Sequence, residues 1–167
     1  GRPRITAAPL ERVPDLAIAL GLGALAALLY AWVGDGQQNT SSFPELASAF
    51  LRGQAWLPDP RPWEELAIRA EGGFWGPFPP FPAVLLMPVV AVLGTDFDLG
   101  LAAAVVGGIS VVLAYLLARD VGATRRNAAW LAVALALGSE LLWAAGEGNH
   151  HLFAQAVAVM LVFAALR

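Results

Sequence analysis

Phe81-Pro82-Ala83-Val84-Leu85-Leu86-Met87-Pro88-Val89-Val90-Ala91-Val92-Leu93 decides how this chain is threaded. The stretch is as apolar as a membrane span, yet it has only 13 residues and carries Pro82 and Pro88 inside it. At about 1.5 Å per residue it covers about 20 Å, against the roughly 30 Å of a hydrocarbon core. A run of that length reads as an interfacial or re-entrant helix, and the surface helix is expected over 80–94.

Four longer apolar stretches flank it, at 14–33, 99–119, 128–146 and 150–166. A span needs about 20 mainly apolar residues, within a range of about 17–25. Tyr30 and Trp32 fit an interfacial belt at the end of the first, and Gly107-Gly108 offers close packing in the second. Glu140 is an acidic intruder in the third. The arginines orient the set. With four spans and a cytoplasmic N-terminus, Arg2, Arg4, Arg12, Arg119, Arg125, Arg126 and Arg167 lie inside, and Arg52, Arg61 and Arg69 outside. Seven against three obeys the positive-inside rule. Crossing by Phe81–Leu93 inverts the score. Five spans with an external N-terminus also score seven to three. That arrangement exports the arginine-rich tail beside the first span and draws the acidic 34–79 segment inside. The expectation is an all-α polytopic membrane protein, multi-pass in the cell membrane, with four transmembrane helices and two juxtamembrane helices in a long outer loop over 34–98.

Composition agrees with a bilayer setting. The chain of 167 residues is 58% hydrophobic and 14% charged, with mean hydropathy +0.64. Soluble domains average about 45–50% apolar and about 25% charged. There is no cysteine, which excludes disulfides and thiolate metal sites. A net charge of −3 gives no reason to expect a nucleic-acid partner. The start at Gly1 and the stop at Arg167 right after an apolar run suggest one membrane domain from the N-terminal part of a longer polytopic protein.

Inside the outer loop, Phe43, Leu46, Ala47, Phe50 and Leu51 recur at helical spacing. Ser42 and Glu45 form an S-x-x-E capping box, Pro44 is tolerated in the first turn, and Gly53 ends the helix, expected over 42–53. Such a helix lies on the membrane with its apolar side down. Leu66 to Glu71, then Gly72-Gly73, then Phe74-Trp75 reads as a small hairpin. Trp56, Trp63 and Trp75 suit an interfacial belt or a wall for a lipid chain or sugar face.

The order of these pieces resembles the GT-C superfamily of integral-membrane glycosyltransferases, including the protein mannosyltransferases and the aminoarabinose transferases of lipid A. The matching segments are Leu46-Ala47-Ser48-Ala49-Phe50-Leu51-Arg52-Gly53-Gln54-Ala55-Trp56-Leu57, Glu71-Gly72-Gly73-Phe74-Trp75, and Pro77-Phe78-Pro79-Pro80-Phe81-Pro82. Leu116-Leu117-Ala118-Arg119-Asp120 with Arg125-Arg126 resembles the turn after that family's second span. The resemblance implies a polyprenyl-phosphate sugar donor and an extracytoplasmic glycan, lipid or protein acceptor. It also implies a carboxylate in the first outer loop acting as general base. Aligning 46–53 puts that acid near Thr40-Ser41-Ser42, where none stands.

The nearest acids are Asp35 and Glu45, and Glu147 is a third candidate base. Asp35 also fits a solvated turn, and Glu45 fits a capping partner. Arg52, Arg69, Trp75, His150 and His151 are candidate substrate contacts, the arginines through forked hydrogen bonds to a lipid phosphate. Adjacent His150 and His151 point about 100° apart on a helix, which makes a poor metal pair. No cofactor motif is evident, and metal dependence stays open. Two readings follow. One is a glycosyltransferase moving a lipid-linked sugar; the other is a non-catalytic scaffold or assembly subunit that has lost the base.

Overall fold

A computed structural model of the chain describes residues 9–34, 42–57, 67–68, 73–75 and 79–167. The described chain is helical: α1 (Pro9–Val33), α2 (Phe43–Leu51), α3 (Phe81–Leu93), α4 (Leu99–Asp120), α5 (Arg125–Gly138), α6 (Leu141–Gly146) and α7 (His150–Leu166). Two strands of two residues each, β1 (Ala67–Ile68) and β2 (Phe74–Trp75), pair antiparallel with Ala67 opposite Trp75 and Ile68 opposite Phe74. This is the hairpin expected around Gly73, whose φ of 87° needs glycine. Leu57 extends the pairing through N–H···O bonds of 3.0 and 2.9 Å exchanged with Phe74.

α4 is the central post, with α1, α5, α6 and α7 packed on it. The long helices alternate in direction. Asp15 at the start of α1 meets Arg119 at the end of α4 and Arg125 at the start of α5. At the opposite end, Gly34 abuts Gly146, and a Cβ on Gly148 would lie 2.7 Å from the Gly100 nitrogen. α7 returns to the Asp15 end, where Arg167 pairs with Asp120 at 3.0 Å. α1 and α5–α6 therefore run one way, and α4 and α7 run back.

Small residues make these contacts possible. A Cβ at Gly108 would stand 2.6 Å from the Gly23 carbonyl oxygen, and one at Gly23 would stand 2.7 Å from that of Gly108. Alanines 19, 26, 104, 118, 128, 132, 136 and 145 fill the same core around Tyr30 and Tyr115. The large apolar side chains point the other way. Leu25, Leu28 and Trp32 are 66%, 69% and 81% exposed. Small residues inside and large apolar residues outside is the pattern of helices that associate in lipid, where burying leucine gains nothing over hydrocarbon. Two helical stretches, Pro14–Val33 and Leu99–Asp120, are long and apolar enough to cross a membrane.

Three expectations change. The 128–146 stretch is two helices, because Gly138-Ser139 is poor helix sequence and Ser139 diverts the ladder. Ser139 Oγ donates to the Leu135 carbonyl at 2.6 Å and accepts from Leu141 N–H at 3.2 Å. Tyr30 OH donates to the next carbonyl, Ala136, at 3.1 Å. The Ser42–Glu45 capping box does not form: Ser42 sits at φ −85°, ψ 0° and makes no side-chain cap bond. An N-cap residue needs extended backbone to aim its oxygen at the first turn. Lastly, the apolar stripe of α2 is not laid on lipid. Phe43, Leu46, Ala47 and Ala49 are buried, mainly against α3, while Leu51 is 46% exposed. The far end of α2 closes as expected, on Gly53 at φ 74°, with Gly53 N–H bonded to Phe50 O at 2.9 Å and Gln54 N–H to Ala49 O at 2.9 Å.

Candidate functional site

α3 packs on α2 and only marginally on α7, and leaves a gap beside α4. The gap is an apolar groove of about 370 Å³. Leu85, Val89 and Leu93 of α3 form one wall, Leu101, Val105 and Ile109 of α4 another, and Phe153 and Met160 of α7 the back. From Leu101 to Ile109 the groove follows α4 for about 12 Å. Asp98 is its one polar lining residue among those described. That carboxylate caps α4, accepting from Gly100 N–H at 2.8 Å, at the end of α4 that lies beside Gly148. The groove is narrow, elongated and apolar, with charge at one end only. Such a shape suits a hydrocarbon chain.

α2 is seated on the same wall. Phe43 meets Phe153 with ring centroids 6.0 Å apart and planes tilted by 59°. Glu45 follows two residues later in the first turn of α2, half-buried, with its Oε2 shielded from solvent. The Glu45 carboxylate is thus carried by a helix whose first aromatic touches a groove-lining side chain.

The other sequence candidates are placed less tellingly. Glu147 caps α6 and accepts from Trp143 Nε1 at 3.2 Å, close to the paired tops of α4 and α7. His151 is exposed in the first turn of α7, beside His150, which begins it. Arg52 is exposed just past α2 and donates from Nη1 to Ser48 Oγ at 2.6 Å, back along its own helix. Trp75 lies in β2. Asp35 and Arg69 lie outside the described residues. Among the described residues no three His, Cys, Asp or Glu side chains converge as metal ligands would.

Sequence reasoning overlooked Asp15. Its carboxylate is 12% exposed and accepts from Arg119 Nε and Nη2, both at 3.1 Å, from Arg125 Nε at 2.7 Å and from Tyr115 OH at 3.4 Å. The signal was present: an acid directly after Pro14, at the margin of an apolar run. This cluster sits at the end of α4 opposite Asp98 and ties α1, α4 and α5 together.

No protein-family model, no curated protein and no solved structure matches the chain.

Proposed function

We propose that this chain is a four-span membrane domain of GT-C type. It holds a polyprenyl-phosphate-linked sugar at the outer leaflet and passes the sugar to an extracytoplasmic acceptor. The Gly34 end faces outward, the Asp15 end faces the cytoplasm, and α2 and α3 lie at the outer surface without crossing. The observation that carries this reading is the apolar groove beside α3, which has Asp98 among its lining residues and whose Phe153 also meets Phe43 of the helix that bears Glu45. The polyprenyl chain lies in the groove, and its phosphate stays outside the apolar lining.

Glu45 is the base in this reading. Its carboxylate takes the proton of the acceptor hydroxyl as that oxygen attacks the anomeric carbon; the bond from sugar to phosphate oxygen breaks, and the polyprenyl phosphate leaves. Ser42 makes no side-chain cap bond to the start of α2. Glu147, engaged by Trp143, is left outside the reaction.

The test is consumption of a radiolabelled polyprenyl phosphate hexose by the protein in vesicles, with cell-envelope extract as acceptor. Glu45→Gln is expected to slow transfer about 10²-fold, as loss of a positioned general base does. Glu147→Gln is expected to leave the rate nearly unchanged. A wild-type protein that consumes no lipid-linked sugar, or a Glu45→Gln variant at full rate, contradicts the assignment.

A further inference from the structure

Glu140 is a charged group that the proposed chemistry leaves unused. It stands in the break between α5 and α6 and is exposed. Among the described residues its carboxylate has no hydrogen-bond or ion-pair partner.

Its depth follows from its neighbours. Ala136, four residues earlier, accepts the Tyr30 hydroxyl at 3.1 Å. Ala145, five residues later, stands so close to Gly107 that a Cβ there would be 2.5 Å from the Ala145 Cβ. Gly107 lies eight residues into α4, about 12 Å from its Leu99 end. Glu140 is bracketed by these two contacts. It lies about one to two turns inside the bundle's outer end, within the apolar layer.

The surroundings are those of an interface. Trp130 and Leu137, seven residues apart on one face of α5, are 67% and 51% exposed. Trp143, three residues beyond Glu140, is 56% exposed. The N–H groups of Leu141 and Leu142 turn back to Ser139, so the Leu137 and Gly138 carbonyls fall outside the helical ladder. This face therefore places a carboxylate and two carbonyls outside the ladder among large apolar side chains and carries no cationic side chain among the described residues. Exposed to lipid, an acid inside the apolar layer is costly unless it is paired.

We propose that this face of α5 and α6 receives a membrane helix of a partner polypeptide that presents an arginine or lysine to Glu140. A second copy of this chain does not fit. The described arginines sit at the Asp15 end or, as Arg52, in the outer loop, so none is level with Glu140. The inference rests on the membrane reading above, with the Gly34 end outward, but not on the transfer chemistry.

The test uses two synthetic transmembrane peptides of leucine and alanine, identical except for one arginine or one leucine in the outer third. Each is co-reconstituted in vesicles with the protein labelled at Asp96→Cys, and association is read by energy transfer. The arginine peptide is expected to bind and the leucine peptide is not. Glu140→Gln is expected to weaken the arginine peptide about tenfold, and Glu140→Asp to weaken it less. Equal binding of both peptides, binding of neither, or no effect of Glu140→Gln overturns the proposal. So does energy transfer between two copies of the protein that Glu140→Gln abolishes. Flotation of the protein with peptide-free vesicles checks the membrane reading separately: floating protein that ignores both peptides sinks the interface alone.

Discussion

Gly108→Leu is expected to push α1 off α4 and abolish the cooperative unfolding transition in detergent micelles. The substituted Cβ would meet the Gly23 carbonyl oxygen at 2.6 Å and the Ala27 Cβ at 2.9 Å, before the rest of the side chain is placed. Backbone, not a flexible side-chain tip, is the obstacle, and Gly23 faces the same obstacle in reverse. Overpacking costs about 1–3 kcal/mol where side chains can shift. Here a helix must move, and the cost is expected at or above the top of that range. Gly21→Ala is the control. A Cβ at Gly21 meets nothing within 4 Å, so it gains helix propensity worth up to about 1 kcal/mol. Thermal unfolding followed by circular dichroism separates the two. A Gly108→Leu protein that melts like wild type would show that α1 and α4 are not in this contact.

Asp15→Ala is expected to cost about 2 kcal/mol of stability in the same micelles. The substitution leaves Arg119 and Arg125 facing each other without the carboxylate that both contact. Removing one partner of a buried pair costs about 3–5 kcal/mol. The Arg119 and Arg125 side chains are 28% and 49% exposed, and screening by solvent lowers the expected figure. A double-mutant cycle with Arg119→Gln gives the coupling directly, expected at about 1 kcal/mol or more. Additive single effects would show that the cluster does not hold α1, α4 and α5 in register.

Much of the scaffold could be read from local patterns. The ends of α2 and α4 announce themselves through Gly53 and Gly122, whose positive φ permits the closing turns. The 13-residue α3 is bounded by Pro80 and Gly94, as the proline-led, glycine-ended apolar run had suggested. The break at Ser139 was not legible. Hydropathy runs straight through 128–146, and the bond that caps Ala136 comes from Tyr30, 106 positions away. The same distance hid the Asp15 cluster, whose partners come from α4 and α5 more than 100 residues later. The capping box misled because its residue types are right while the Ser42 backbone is not. The groove needed the three-dimensional packing of α3 beside α4 and α7, because each lining residue alone is an ordinary leucine, valine or phenylalanine.

The proposed threading across the bilayer underlies the roles proposed for Glu45 and Glu140. The chain has no cysteine, so single cysteines placed at Ala55, Asp96 and Val121 report cleanly, and all three positions are exposed. In intact cells, a membrane-impermeant maleimide should label Ala55→Cys and Asp96→Cys, on either side of α3, and should reach Val121→Cys only after permeabilisation. Labelling of Ala55→Cys and Val121→Cys with protection of Asp96→Cys would mean that α3 crosses the membrane, and would contradict the account.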